Sequence, residues 1–172
     1  MRNKIDEAKT VAPRNITLSL SDADCLRIAE FAGMHNTTVS NILEEFIGNL
    51  IDGTYSSGSD ERMLASQYFE RTGTSWMFDK SFLTWTFNNW VDTDSFADMV
   101  SDIAYDYDII NDPESGAEDV AGCKEDLSFI LQTFRENYYD PYKEDEKEPV
   151  SFDIAVEQAL TWYKQYKDLL GE

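Results

Sequence analysis

The chain has 172 residues, of which 42% are hydrophobic and 13% aromatic, and its formal net charge is −20. This apolar content is too high for a disordered protein, and no run of about 18 apolar residues predicts a membrane span. A net charge of this size repels nucleic acid and anionic membranes and attracts basic surfaces. The N-terminus lacks the apolar stretch of a secretory signal, so we expect a cytoplasmic protein.

The charge is unevenly distributed and divides the chain into three predicted parts. Residues 1–14 carry four basic and two acidic side chains and predict a flexible basic arm. Residues 15–52 carry one arginine and six acids. Residues 53–172 carry nine basic and 26 acidic side chains and predict an acidic, aromatic-rich helical domain. The expected fold class is mainly α.

The second part begins with the stretch NITLSL, in which polar and apolar residues alternate. Alternation with a period of two is typical of a half-buried strand. Its polar residues are Asn15, Thr17 and Ser19, and its apolar residues are Ile16, Leu18 and Leu20.

Two helices are predicted after this strand. The first has Ser21 or Asp22 as its N-cap and ends at a turn that contains Gly33. The second begins at a cap formed by Thr37 or Thr38 and presents a broad apolar face.

Strand, short helix, glycine turn and helix in this order resemble the ribbon-helix-helix module of Arc- and MetJ-type repressors. In that family two subunits pair their strands into a ribbon, so the resemblance implies a homodimer and an N-terminal dimerisation module ahead of the acidic helical domain. Family members insert the ribbon into the DNA major groove. Phosphate binding needs Lys and Arg, however, and residues 15–52 contain only Arg27 against six acids. The resemblance implies Ile16, Leu18 and Leu20 in the dimer ribbon, Asn15, Thr17 and Ser19 as DNA-reading side chains, and Thr37 and Thr38 as phosphate contacts through backbone N–H groups.

Helical periodicity continues through the acidic domain. Helices are predicted from near Ser59, over residues 93–110, in the segment AGCKEDLSFILQTFRENYYDPY, and from a Ser151 cap. The segment SFLTWTFNNWV fits a helix or a strand, and its helical neighbours favour the helix. The aromatic residues of this region are expected to pack in the core rather than to stack on bases: Trp76, Phe78, Phe82, Trp85, Phe87 and Trp90.

The predicted helix over 93–110 places four aspartates four residues apart. Like charges at this spacing destabilise a helix by a few tenths of a kcal/mol per pair. The presence of four aspartates in one row therefore calls for an explanation. The row would span about 18 Å and could stand in for alternate phosphates, which advance about 3.4 Å per nucleotide. The simpler alternative is a solvated helix face. The expected partner-binding surface comprises Asp94, Asp98, Asp102, Asp106, Asp108, Asp112, Glu118 and Asp119.

No motif in the sequence indicates catalysis or a designed metal site. His35 is the only histidine, and it lies in a predicted turn without a neighbouring nucleophile. Residues 106–116 begin like a calcium-binding loop but lack the third ligand of such a loop and the glycine at its sixth position. Cys25 and Cys123 are far apart and are expected to be free, buried thiols. We therefore expect no enzymatic activity, no cofactor and no metal.

Three functions are compatible with this sequence. The first is a dimeric acidic inhibitor from a phage or mobile element that mimics nucleic acid and binds a basic nucleic-acid-binding effector, such as a Cas nuclease or a restriction-type enzyme. In size and charge the chain is similar to small acidic anti-CRISPR and anti-restriction proteins. The alternatives are a ribbon-helix-helix transcriptional regulator, which would bind DNA through its N-terminal module, and an antitoxin with an acidic partner-binding domain. The first is the function we favour.

Overall fold

The structure is a computed structural model that describes residues 4–56, 58–71, 81–89 and 91–171. The described residues are mainly helical and contain no β-strand, which confirms the predicted fold class at this level. Their contacts divide the chain into two compact units, Met1–Met77 and Phe78–Glu172. None of the described helices combines the length and the apolar character that crossing a bilayer requires. The α-helices are α1 (Lys4–Ala8), α2 (Asp22–Met34), α3 (Val39–Leu50), α4 (Ser59–Arg71), α5 (Phe82–Asn88), α6 (Thr93–Asn111), α7 (Ala117–Phe134), α8 (Asp140–Asp145) and α9 (Phe152–Leu170).

The two predicted helices of the N-terminal unit are confirmed, together with their caps. The Ser21 hydroxyl accepts a hydrogen bond from the Asp24 backbone N–H at 3.2 Å at the start of α2. The Thr38 hydroxyl accepts one from the Asn41 N–H at 3.1 Å at the start of α3. The expected helix end at Gly33 is wrong, because α2 continues to Met34 and the left-handed residue of the turn is Asn36, with φ of 50°. Asparagine tolerates this conformation better than most residues.

The predicted strand over residues 15–20 is not seen, because this segment has no regular secondary structure in the single chain. A strand is defined by a hydrogen-bonded partner, and the proposed partner belongs to a second chain. The alternating pattern also produces no difference in burial here, since both its polar and its apolar side chains are exposed. Ile16, Leu18 and Leu20 are 54%, 53% and 52% exposed.

Part of the expected flexible arm is ordered in the described structure. Residues 4–8 form α1, and the Lys9 ammonium pairs with the Asp6 carboxylate at 2.6 Å. The Thr54 hydroxyl donates a hydrogen bond to Glu7 Oε2 at 3.3 Å, which links this helix to the chain after α3.

Helix α4 belongs to the N-terminal unit, although the predicted acidic domain began at residue 53. Its Tyr68 ring contacts Phe46 of α3 edge-on, with ring centroids 5.8 Å apart. Arg62 of α4 also pairs with Asp52 at 2.9 Å. Among the described residues of this unit, the only buried hydrophobic residues are Ala32 and Ala65. The unit therefore has little interior of its own.

The C-terminal unit is built around an aromatic core. Helices α6 and α7 pack along each other, α5 and α9 cover the same core, and α7 continues through a π-helical turn (Arg135–Tyr139) into α8. Phe96 of α6 is fully buried, and its ring contacts Phe82, Phe134 and Tyr138 at centroid distances of 5.1 to 6.3 Å. Offset and edge-on aromatic pairs of this kind stabilise a core beyond the area they bury.

Side-chain hydrogen bonds hold the ends of these elements. The predicted cap of α9 is confirmed, because the Ser151 hydroxyl accepts from the Ile154 N–H at 3.4 Å. The loop before α9 is held at Val150, whose carbonyl accepts from the Tyr139 hydroxyl at 2.9 Å and whose N–H donates to the Tyr142 hydroxyl at 3.0 Å.

The favoured helix in SFLTWTFNNWV is confirmed as α5, and the aromatic residues of this region follow the expected core packing only in part. Phe82 is fully buried, Trp85 is partly buried, and Phe87 is 37% exposed. The positions of Trp76, Phe78 and Trp90 lie outside the described residues.

Truncation of the central aromatic residue tests this core. We expect Phe96→Ala to lower the free energy of unfolding by about 3 to 5 kcal/mol, because the vacated volume lies among rigid rings and cannot collapse. Urea unfolding followed by tryptophan fluorescence measures it. Phe129→Ala is the matched control: Phe129 is 75% exposed, so its loss should change stability by about 0.5 kcal/mol or less. Equal effects of the two substitutions would contradict the proposed core.

Candidate functional site

The candidate site is the acidic surface of the helical hairpin formed by α6 and α7. A five-residue loop over 112–116 joins the two helices, so they pack against each other in opposite directions. Residues 92–126 contain 12 acidic side chains and one basic residue, Lys124. The buried residues Phe96, Val100 and Ile103 hold one side of α6 against the core. The rest of its surface is therefore presented in a fixed orientation.

Seven of the eight predicted surface carboxylates are exposed: Asp94, Asp98, Asp102, Asp108, Asp112, Glu118 and Asp119. We call this set the acidic face. Within the described part of the chain, Asp98, Asp102 and Asp108 form no ion pair with a basic side chain, whereas the ion pairs at Asp6, Asp24 and Asp52 lie in the other unit. The acidic face thus keeps much of its negative charge.

The eighth residue, Asp106, was expected on the same surface, and this prediction is wrong. Its side chain is only 5% exposed and lies in the interface between α6 and α7. The reason is helical geometry: residues four apart are offset by about 40° around an α-helix with 3.6 residues per turn. Three such steps, from Asp94 to Asp106, turn the row by about 120°, which brings its last member to the edge of the buried side.

Asp106 lines a cavity of about 280 Å³ between the two helices. Its Oδ2 atom is buried and has no hydrogen-bond partner among the described atoms. Buried carboxylate oxygens are normally satisfied by hydrogen bonds, so this oxygen is an exception in the hairpin. The residues that line the cavity are Asp102, Tyr105 and Asp106 of α6 and Asp126, Phe129 and Ile130 of α7.

The Cys123 thiol of α7 also contacts the Asp106 carboxylate and donates a weak hydrogen bond to it. Burial raises the pKa of this thiol, and the hydrogen bond to Asp106 and the charges of Asp106, Asp126 and Asp119 raise it further. Cys123 is therefore a protonated thiol at neutral pH and is not poised as a nucleophile. It was expected to be buried and is partly so, whereas Cys25 is exposed, which corrects the expectation for that residue.

The residues implied by the ribbon-helix-helix resemblance lie in the N-terminal unit and do not form a pocket. Asn15, Thr17 and Ser19 are exposed on the irregular segment before α2. The backbone N–H of Thr37, expected to contact phosphate, already donates to the Ala32 carbonyl at 3.0 Å. The Thr38 side chain is exposed and caps α3.

Among the described residues, the side chains that could bind a metal or take part in catalysis do not cluster. No group of three or more His, Cys, Asp or Glu side chains there has the arrangement to hold a metal ion. His35 is exposed at the C-terminal end of α2, with its ring 4.6 Å from that of Phe31.

The sequence alone did not reveal the cavity or its lining from α7. The spacing within each helix is visible in the sequence. Asp102, Tyr105 and Asp106 share one flank of α6, and Asp126, Phe129 and Ile130 share one flank of α7. Which flanks face each other depends on the register of the two helices. That register is a non-local property of the packed core.

Comparison with known proteins gives no independent indication of function. The chain matches no protein-family model, no curated protein and no solved structure at a significant level. The ribbon-helix-helix resemblance of residues 15–52 therefore stays a prediction that depends on its sequence pattern.

The raised pKa of Cys123 can be tested by alkylation. In a Cys25→Ser variant, we expect the rate of reaction with iodoacetamide to rise with pH around a midpoint above the ordinary thiol pKa of about 8.5. Asp106→Asn should lower that midpoint, because it removes the carboxylate charge and weakens the hydrogen bond. Since the folded state favours the protonated thiol, this group's contribution to stability is lost as pH rises above the ordinary pKa. The same midpoint in the folded protein and in urea would contradict the assignment.

Proposed function

We propose that this chain is a non-enzymatic inhibitor that binds a basic nucleic-acid-binding effector, such as a Cas nuclease or a restriction-type enzyme, in place of nucleic acid. The observation that carries the proposal is the acidic face, which displays seven exposed carboxylates on one helical hairpin. Proteins of this kind from phages and mobile elements would act in the cytoplasm of the host cell. The proposal needs no cofactor, metal or catalytic residue.

The spacing of the carboxylates supports mimicry of a phosphate backbone. Along α6, the exposed members of the row, Asp94, Asp98 and Asp102, are separated by about 6 Å, against about 7 Å for every second phosphate of one DNA strand. A channel whose Lys and Arg side chains are spaced for phosphates can pair with such a row. Because the aromatic core fixes the orientation of α6, the partner would meet an ordered surface, and little conformational entropy is lost on binding.

The electrostatics support a basic partner. With 12 acids against one lysine, residues 92–126 carry a charge far beyond what solubility needs. A concentrated field of one sign accelerates association with a surface of opposite sign by about 10- to 1,000-fold, and the effect falls steeply with salt.

The N-terminal unit supports a dimer, in which two acidic faces would be present in one particle. The unit leaves many large hydrophobic side chains exposed, and a large amount of exposed apolar surface often marks an interface. They include Val11, Ile16, Leu18, Leu20, Leu26, Phe31, Met34, Phe46, Ile47 and Ile51. With Arg27 as the only basic residue against six acids in residues 15–52, we assign these residues to dimerisation rather than to DNA binding.

Charge reversal on the acidic face tests the proposed function. We expect the wild-type protein to reduce DNA cleavage by at least one member of a panel of guide-loaded Cas nucleases and restriction enzymes. The double variant Asp98→Lys with Asp102→Lys should lose this inhibition by about tenfold or more, because two attractive charges become repulsive. Cleavage assays at about 50 mM and 200 mM salt measure both effects, and inhibition should weaken at the higher salt.

A second double variant makes the same change in net charge elsewhere. Glu157→Lys with Asp168→Lys reverses two exposed acids of α9, which lies outside the acidic face, and it should inhibit as well as the wild type. Equal inhibition by both double variants, or no inhibition of any nuclease in the panel, would contradict mimicry of nucleic acid.

The dimer is tested separately. We expect sedimentation equilibrium to give a mass near twice the 19.8 kDa of one chain at micromolar concentration. Leu18→Asp should convert the protein to a monomer, because it places a charge in the proposed apolar ribbon. Thr17→Asp is the matched control on the opposite side of the proposed ribbon and should leave the dimer largely intact. A wild-type protein that sediments as a monomer would remove the basis for a paired ribbon.

A further inference from the structure

We infer that the tip of the α6–α7 hairpin is a charge-sensitive conformational switch. By the tip we mean residues 104–126, all of which the structure describes. The tip opens by local unfolding while the aromatic core stays folded, and screening or neutralisation of its carboxylates closes it. The inference concerns this chain alone and does not depend on the proposed partner.

The tip lacks a hydrophobic interior. Within residues 104–126, the only buried side chain is that of Asp106. Tyr107 and Ile110 pack against the core while only half-buried. The apolar residues that the two helices bury lie on either side of the tip: Phe96, Val100 and Ile103 of α6, and Leu127 and Phe134 of α7. Segments with few buried apolar contacts open at a lower free energy than the core, so the tip is the part of the hairpin that opens most easily.

Asp106 makes closure of the tip costly. Its side chain is only 5% exposed, and its Oδ2 atom is enclosed by protein without a hydrogen-bond partner among the described atoms. The Cys123 thiol of α7, which is a weak donor, hydrogen-bonds this carboxylate. A carboxylate loses its hydration when the tip closes, and one weak hydrogen bond does not replace it. Opening returns water to both oxygens, so Asp106 favours the open state.

The other charges of the tip act in the same direction. Residues 104–126 carry eight acidic side chains and one basic side chain, Lys124. Burial and Asp106 raise the pKa of the Cys123 thiol, and the charges of Asp126 and Asp119 raise it further, so the closed interface is a place of negative potential. Repulsion between exposed charges fades over a Debye length, which is about 10 Å at 0.1 M salt and about 3 Å at 1 M. Salt or a bound cation therefore favours the closed tip.

The backbone of the tip also favours opening. Helix α7 begins at Gly116 without a side-chain cap, whereas α6 and α9 each begin with one. Gly122 lies in the second turn of α7, and glycine is among the least favourable residues inside a helix. The side-chain hydrogen bond of Asn111 stays within α6, and that between Glu114 and Asp112 stays within the loop. These bonds do not join α6 to α7.

Opening divides the acidic face into two groups. Three of its carboxylates lie on the part of α6 that is packed on the core: Asp94, Asp98 and Asp102. The other four belong to the tip: Asp108, Asp112, Glu118 and Asp119. The first group keeps its orientation in both states, whereas the second is brought together only in the closed state. A cationic surface that contacts both groups binds the closed state better and therefore shifts the equilibrium towards it.

Hydrogen exchange of the 172-residue chain, followed by NMR, tests the switch. After correction for intrinsic rates, we expect the amides of residues 107–111 and 121–126 to exchange at least roughly 30-fold faster than those of residues 155–160 in α9. Raising sodium chloride from about 20 mM to about 500 mM should slow exchange in the tip by roughly threefold or more and leave residues 155–160 largely unchanged. Uniform protection across the C-terminal unit, or a tip that does not respond to salt, would overturn the proposal.

Asp106→Asn isolates the contribution of the buried charge. It should slow exchange throughout the tip by about tenfold, because an amide is less costly to bury than a carboxylate. Asp108→Asn is the matched control, since it makes the same change at an exposed position of α6, and it should slow exchange by about threefold or less. Equal effects of the two substitutions would mean that total charge, and not the buried carboxylate, sets the equilibrium, and would overturn the role of Asp106.

Gly122→Ala tests whether the two helices open together. A Cβ atom at Gly122 meets no atom within 4 Å, so alanine fits without strain. The substitution should slow exchange by about fivefold both in α7 and in residues 107–111 of α6, because it stabilises the helix of the closed state. Gly33→Ala in α2 is the control with equally open space, and it should leave the tip unchanged. Slower exchange confined to α7 would contradict a tip that opens as one unit.

Discussion

The packing of Phe96 against Phe82, Phe134 and Tyr138 fixes the rotation of α6 about its own axis, and the other features of the C-terminal unit depend on that rotation. Once one side of the helix is committed to the core, each remaining position on it faces either solvent or α7. The same rotation that exposes Asp98 directs Asp106 into the helix interface. Asp98 and Asp106 are eight residues apart and differ by about 80° around the helix, so a rotation of that size would carry Asp98 to the interface instead.

The energetics show why a helix can carry so many like charges. Repulsion between exposed aspartates four residues apart costs a few tenths of a kcal/mol per pair. Full burial of a side chain such as Phe96 contributes about 1.5 to 3 kcal/mol, and α6 buries several apolar residues. The row is therefore tolerated at a modest cost, and the part of α6 packed on the core stays folded without neutralising it. An acidic surface of this kind remains available to a partner.

Features that depend on neighbouring residues were predicted from the sequence, and features that depend on distant residues were not. The caps at Ser21, Thr38 and Ser151 were predicted because a cap is a local hydrogen bond within three residues. The burial of Asp106 depends on both kinds of feature: the drift of the row by about 40° per four residues is local, whereas the position of α7 beside it is set by the packed core. The strand of residues 15–20 remains a prediction, since its hydrogen bonds would belong to a second chain.

The two tyrosine hydroxyls that hold Val150 affect the loop between α8 and α9. Tyr139 and Tyr142 both belong to the preceding helical segments, so the position where α9 begins is set by the core and not by the residues of the loop. Between these held positions, Lys147 and Glu148 are exposed. Insertions are best tolerated at such exposed connections. The loop is therefore the natural position for a fluorescent or affinity fusion that leaves the acidic hairpin undisturbed.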